Sequence, residues 1–293
     1  MKNGMESYLK ENARHGTKAF PAGFYDAILP LHYQDMLVHW HEEMEFTKVI
    51  SGRLHYDIDQ IPYELEAGDI LLIGPDTLHA AHQLPEIRAQ TRTVVFHLQL
   101  AGLDTMDGCT ERFVKPIREG QLRIPPVLHP GDAFYDEMDV CFEAMWQCAQ
   151  EDIPYRELRF KAQVFRMIQL IWQHSAGTVA QPPTKIFRQY EDKLKLALAY
   201  IQEHYPEPIT IGQLAQLCGF SQVHFMNIFK AAIGSTCIEY LVKFRLAHAA
   251  MDLRETDHSI MQIALDNGFQ NTSYFNRAFK GQYGLTPSAY RKK

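Results

Sequence analysis

Residues 210–234 read TIGQLAQLCGFSQVHFMNIFKAAIG, and residues 259–284 read SIMQIALDNGFQNTSYFNRAFKGQYG. The second stretch repeats the first. Thr210 matches Ser259, and either hydroxyl can accept from a backbone N–H that a helix start leaves unpaired. Ile211, Leu214 and Ala215 match Ile260, Ile263 and Ala264, and Gly219-Phe220 matches Gly268-Phe269. After one inserted residue, Phe229-Lys230 matches Phe279-Lys280 and Gly234 matches Gly284. A capped helix, a glycine turn and a second helix make a helix-turn-helix, here written twice.

The second helix of each copy divides into two faces at helical spacing. In the first copy Phe225, Ile228, Phe229 and Ala232 fall inward, while Val223, Met226, Asn227 and Lys230 fall outward. In the second, Phe275, Ala278 and Phe279 fall inward, while Thr272, Ser273, Asn276, Arg277 and Lys280 fall outward. The major groove of duplex DNA accepts one α-helix, and Arg and Asn can make paired hydrogen bonds to guanine and adenine edges. Ser, Thr and Lys suit phosphates. One such face alone is an ordinary solvated surface; two copies with matching caps and turns point to double-stranded DNA. Arg291, Lys292 and Lys293 join Lys230 and Lys280 as candidate phosphate contacts. Between the copies, Ile238, Leu241, Phe244, Leu246, Ala249 and Leu253 form a stripe that predicts one connector helix. Such a connector would set the two outward faces into successive major grooves, about 34 Å or about 10 bp apart. Arg245, on the connector, reads as an intradomain ion-pair partner rather than a DNA contact.

Charge separates the chain into two parts. Residues 185–293 hold 13 Lys and Arg against 9 Asp and Glu, and residues 1–184 hold 16 against 26, so the net −6 divides into +4 and −10. The basic part is the candidate for nucleic acid. No run of about 18 apolar residues suggests a membrane helix, and the polar start MKNGMESYLKENARHG lacks the apolar core of a signal peptide. Five cysteines without a CxxC pair suit free thiols in a reducing cytoplasm.

Short strands are expected from about Met36 to Leu100, in FTKVISGRLHYDID (46–59), YELEAGDILLIGPDTLHA (63–80) and RTVVFHLQL (92–100). Gly, Pro and Asp turns between them indicate an antiparallel barrel or sandwich. Near Pro130 the spacing becomes helical: Phe134, Met138, Cys141, Phe142, Met145 and Ala149 share one face, and after Pro154 so do Leu158, Ala162, Phe165 and Ile168. This helical hairpin either covers the barrel or forms a dimer interface. SAGTVAQPPTK, 175–185, reads as the linker. The expected organisation is a barrel over 1–129, a hairpin over 130–175, a linker over 176–186 and an all-α domain over 187–293.

The run IxxLAxxxGFS from Ile211, RLAHAAMDL from Arg245 and the second module through GLTPSAYR together resemble the DNA-binding domain of AraC/XylS-type transcription regulators, over residues 187–291. The resemblance implies base-facing positions at Val223, Met226 and Asn227, then Thr272, Ser273, Asn276 and Arg277. The first set departs from the family's longer polar side chains, since Val223 and Met226 can touch thymine methyls but offer no strong hydrogen bonds. Members commonly carry a cupin-type barrel in front, and this region resembles one. His39-x-His41, Glu45 and Gly52 fit a first motif; Gly68 through His79 fit a second, with Gly74-Pro75-Asp76 in place of Pro-x-Gly.

Alternation along one strand would put His39, His41, Glu43 and Glu45 on a common face. Three readings follow for His39, His41, Glu45 and His79: a divalent transition-metal site, a metal-free pocket for a small effector such as a sugar or organic acid, or structural histidines. Tyr56 and Arg53 are further pocket candidates, whereas His55, His82 and His97 read as ordinary barrel histidines. The expected protein is a one-component regulator, cytoplasmic by its cysteines and homodimeric if the hairpin is the interface. It would answer to a small molecule, a carbohydrate by family habit, and act as an activator with RNA polymerase as partner. A metal-dependent cupin enzyme and a constitutive DNA-binding protein with an inert barrel are the alternatives; the paired helix-turn-helix disfavours the enzyme.

Overall fold

The computed structural model describes residues 15–29, 35–59, 61–84, 87–105, 107–122, 124–150, 154–175 and 185–292. It divides into two compact units, Met1–Pro182 and Pro183–Lys293. Most of the expected linker, 176–184, lies outside the described residues.

The first unit is built on two antiparallel sheets. One holds five strands in the order β1 (Ala22–Leu29), β8 (Ala89–Phe96), β3 (Met44–Ser51), β6 (Ile70–Ile73) and β9 (Val127–Leu128). The other holds β2 (Asp35–His39), β7 (His79–Gln83), β4 (Arg53–Ile58) and β5 (Ile61–Glu66). The strand β1 lies before the Met36 start of the expected strand region. Its alternating burial and full pairing with β8 make it part of the sheet. Gly52 turns β3 into β4 at φ +78, where a Cβ would stand 1.9 Å from the Arg88 carbonyl oxygen, so no larger residue fits.

After β8 come a short 3₁₀ turn (Leu98–Ala101), a π turn (Thr110–Val114), α1 (Lys115–Arg118) and then the hairpin of α2 (Tyr135–Gln150) and α3 (Arg156–Ser175). Met138, Cys141, Phe142 and Met145 of α2 and Phe160, Val164, Met167 and Ile171 of α3 join Phe46, Val94 and Phe96 of the larger sheet in one buried cluster. Lys48 of β3 forms ion pairs with Asp139 and Glu143 of α2 at 2.5 and 2.8 Å. The hairpin therefore covers the sheet. The expected inner face of α3 is wrong in part: Leu158 is 71% exposed, Phe165 is 42% exposed and Ala162 is also exposed, as is Ala149 on α2. The helix carries two apolar stripes, and the sheet takes the one through Phe160, Val164, Met167 and Ile171.

The second unit is all α: α4 (Lys185–His204), α5 (Ile211–Leu217), α6 (Gln222–Ile233), α7 (Cys237–Glu255), α8 (Ile260–Asp266), α9 (Thr272–Tyr283) and α10 (Pro287–Arg291). Thr210 caps α5 in a reciprocal box with Gln213, and Ser259 accepts from Gln262 N at 3.1 Å to cap α8. Buried Phe225 and Phe229, and Phe275 and Phe279, seat the second helix of each module on its first. The connector α7 buries Tyr240, Leu241, Phe244, Leu246, Ala249 and Leu253, whereas Ile238, expected in that stripe, is 41% exposed. Arg245 is intradomain as expected, but it donates to carbonyls, Tyr205 O at 2.6 Å and Glu207 O at 2.7 Å, where an ion pair was expected. The turn at Gly268 closes on the same place. There a Cβ would come within 2.9 Å of the Arg245 guanidinium and 2.8 Å of Tyr205 O.

Candidate functional site

His39 ends β2 and Glu45 lies on β3, so the chain leaves one sheet and enters the other within VHWHEEMEF, residues 38–46. The single alternating strand expected there is not formed, because residues 40–43 leave the strand conformation, with a bend at 42–43. The crossing nonetheless gathers the expected set. His39 pairs with His79 across β2 and β7, and one donor atom from each of His39, His41, Glu45 and His79 lies within 4.8 Å of the others. Glu43 stands outside this set, with its carboxylate 3.8 Å from His41 Nδ1.

Backbone carbonyls fix the three rings. Nδ1 of His39 faces Leu37 O at 2.9 Å, Nδ1 of His41 faces Glu43 O at 3.1 Å, and Nδ1 of His79 faces Thr77 O at 2.9 Å. A carbonyl only accepts, so each Nδ1 carries a hydrogen and a neutral ring keeps its lone pair on Nε2. Nε2 of His41 and of His79 each stand 3.4 Å from Glu45 Oε2. The His79 Nε2 is buried and makes no hydrogen bond at that distance. Burial, with His79 and His41 nearby, holds His39 neutral, its pKa well below the ordinary value. For His41 burial acts downward, but the hydrogen bond and charge of Glu45 outweigh it and the pKa is raised. For Glu45 burial acts upward, and the His41 and His79 contacts overcome it and hold the carboxyl well below the usual range.

The donor set fits a divalent transition metal. Three imidazole nitrogens and one carboxylate oxygen are the ligands such ions take, and each ring's second nitrogen is already oriented by a carbonyl. Oε2 stands 3.4 Å from both Nε2 atoms, and all four donor atoms lie within 4.8 Å of one another, close enough that they could share one ion.

The remaining barrel candidates separate. Tyr56 donates to Glu45 Oε1 at 2.8 Å, so its hydroxyl meets the cluster's own carboxylate. Arg53 is exposed at the start of β4, paired in register with Glu66, and is no part of the cluster. His82 pairs with Asp57 at 3.2 Å and His97 accepts from Gln99 N at 3.1 Å, both outside it. Sequence reasoning missed His15. Its Nδ1 lies 2.6 Å from Tyr25 Oη, its ring meets that of His41 at 5.7 Å, and burial followed by His41 pushes its pKa down to about 4. No spacing rule links residue 15 to the motif; only the fold of the segment before β1 brings it there. The departure at Gly74-Pro75-Asp76 is also resolved. Asp76 adopts φ 61, the left-handed region a glycine would fill, with its N–H on His41 O at 2.8 Å and its carboxylate ion-paired to Arg118.

In the helical unit the outward faces are as expected. Val223 is 65% exposed and Met226 37% exposed on α6, with Asn227 and Lys230 also exposed. On α9, Ser273, Asn276, Arg277 and Lys280 are exposed and Thr272 is half-buried. Tyr274, absent from the expected set, is 43% exposed, with the Arg277 guanidinium 5.9 Å from its ring centroid. His224 holds the same place on α6. Arg291 is tied to Leu253 O and His258 O at 3.4 and 2.5 Å, which accounts for its side chain without DNA.

Comparison with known proteins agrees with both halves. A family described as "Helix-turn-helix domain" matches residues 214–293, and one described as "Cupin domain" matches residues 30–86. An uncharacterized HTH-type transcriptional regulator of Haemophilus influenzae is 36% identical over 259 residues, covering 84% of this chain and 85% of the relative. The HTH-type regulator YdeC of Bacillus subtilis is 22% identical over 299 residues, covering 100% and 99%. Among solved structures, ToxT from Vibrio cholerae O395 bound to (E)-4-(8-methylnaphthalen-1-yl)but-3-enoic acid has a TM-score of 0.51 at 11% identity, covering 92% of this chain and 98% of that one. That likeness shows a shared two-domain fold.

Proposed function

The chain belongs to the AraC-type family of helix-turn-helix transcriptional regulators with a cupin ligand-binding domain, and we propose that its ligand site is the metal cluster of His39, His41, Glu45 and His79. The observation that carries this reading is the convergence of four donor atoms within 4.8 Å of one another, with the His79 Nε2 buried, without a hydrogen bond and 3.4 Å from Glu45 Oε2. A divalent cation held by that nitrogen and that oxygen would satisfy both. When bound, the ion would act as a Lewis acid toward a small ligand. His39, His41 and His79 would supply three nitrogens to the ion and Glu45 one oxygen. The metal-free reading has one observation in its favour: the His41–Glu45 pair can neutralise itself without an ion.

Metal analysis of protein purified without a His-tag, after growth with Zn²⁺, Mn²⁺ and Ni²⁺, decides between them. Close to one equivalent per chain supports the metal reading, and a chain that stays metal-free under all three overturns it. A thermal-shift screen of sugars and organic acids, run with and without the metal, tests the carbohydrate effector that the family resemblance implies; a ligand confined to the folded state raises the midpoint.

We read the rear unit as binding DNA through Val223, Met226 and Asn227 on α6 and Thr272, Ser273, Asn276 and Arg277 on α9, with Lys230 and Lys280 on phosphates. Its relatives are regulators, and the cluster is read here as sensing rather than catalytic. We read the protein as cytoplasmic, in keeping with a DNA-binding role. The outward stripe of α3, Leu158, Ala162 and Phe165, is the proposed homodimer surface, since apolar residues spaced four and three apart form a seam that a second helix can cover. Activation through RNA polymerase is tested by transcription in vitro from a bound promoter; repression in that assay would reverse the sense.

A further inference from the structure

Glu45 has two oxygens, and the barrel treats them differently. Oε2 faces the imidazoles, whereas Oε1 accepts from Tyr56 Oη at 2.8 Å and from Thr47 Oγ1 at 2.9 Å. A carboxylate oxygen has about two lone-pair sites, so these two donors fill Oε1. Thr47 has a single hydroxyl hydrogen and spends it on Glu45. In its 2.7 Å contact with Thr93 Oγ1 it must therefore accept, and Thr93 donates. The hydrogens run one way, from Thr93 to Thr47 to Glu45. Thr47 is 2% exposed, Tyr56 3% and Thr93 4%, so bulk water does not compete for these bonds. The cavity they border, closed by Met36, Leu54 and Ala81, holds about 10 Å³, room for about one water molecule.

We propose that Tyr56 and Thr47, with Thr93 behind Thr47, are positioning residues for the metal cluster: by occupying Oε1 they leave Oε2 as the one oxygen that Glu45 turns to the three histidines. This rests on the metal reading above and deepens it. Neither hydroxyl touches the ion. Each acts through Glu45, as partners behind the ligands commonly do, and removing such a partner weakens metal binding by about 10- to 100-fold. Thr47→Val keeps the side-chain volume and deletes the donor. Tyr56→Phe removes a single oxygen.

The test measures Co²⁺ and Zn²⁺ affinity by competition with a chromophoric chelator, and the visible absorption of the Co²⁺ form, for wild type, Tyr56→Phe, Thr47→Val and Thr47→Ser. Tyr56→Phe and Thr47→Val are expected to weaken binding about 10-fold or more and to change the Co²⁺ bands, because Glu45 Oε1 is released. Thr47→Ser, which keeps the hydroxyl, is expected to restore both. A purely structural role would lower the melting temperature without moving the spectrum. Should Thr47→Val fail to fold, Tyr56→Phe carries the same readout. Wild type that binds Co²⁺ while Tyr56→Phe and Thr47→Val match it in affinity and spectrum overturns the positioning role and leaves the metal reading in place. Wild type that binds neither ion overturns both.

Discussion

Glu45 and Arg277 show two opposite ways of placing charge. Glu45 is 2% exposed and meets two imidazoles, a phenol and a threonine hydroxyl inside the barrel. Arg277 is exposed on α9 and lies over the Tyr274 ring. The first charge is held by convergence of side chains from several strands, and burial makes every contact expensive to lose. The second rides on a helix whose opposite face, Phe275 and Phe279, is buried; water solvates it until a partner arrives. A buried cluster should therefore answer to substitution through ligand affinity and stability together, whereas an exposed face should answer through binding alone.

The largest expected effect tests what lies beneath the exposed face. Phe279→Ala is expected to cost about 3–5 kcal/mol of the second unit's stability by leaving a cavity, measured by denaturant unfolding; a loss under about 1 kcal/mol would show that α9 is not seated by its aromatic face. Next, Glu45→Gln is expected to weaken metal binding by more than about 100-fold, or about 2.7 kcal/mol, in chelator competition. An unchanged affinity would remove the distinction between the two surfaces. Arg277→Ala and Asn276→Ala are expected to cost about 1–3 kcal/mol each in specific DNA affinity. They should relax base preference at one half-site and leave the melting midpoint almost unmoved. Footprints identical to wild type would refute that.

Smaller effects refine the comparison within the helical unit. Val223→Ala and Met226→Ala are expected to weaken binding less than the α9 substitutions, because their apolar contacts carry no paired hydrogen bonds. Lys280→Ala is expected to weaken binding uniformly across sequences and lower the slope of log affinity against log salt by about 0.9, read by fluorescence anisotropy over a salt series. A change in sequence preference would make Lys280 a base contact instead.

The repeat was legible because each of its parts is local. Thr210 and Ser259 cap helices from within three residues, and Phe225 and Phe229 sit four apart on one helix. The motif spacing likewise singled out His39, His41, Glu45 and His79, and these four do meet. Other features were open to more than one reading. On α3, two apolar stripes share one helix, and periodicity cannot say whether Leu158 or Phe160 is inside; the sheet chose Phe160. Tyr56 reads as a pocket residue, and only the fold shows that its hydroxyl meets Glu45 on the neighbouring sheet. His15 and Asp76 carried no periodic signal at all.

The amino-acid order by itself determined the two capped helix pairs, their outward and inward faces, and the residue types available for a metal, since these depend on neighbours within about one or two helical turns or on the chemistry of single side chains. Tertiary structure alone decided that the bend after His39 carries the chain between sheets, that three Nδ1 atoms find carbonyls, and that Glu45 offers one oxygen inward while Tyr56 and Thr47 hold the other. Those facts join residues tens of positions apart, and only the packing of the two sheets fixes the distances between them.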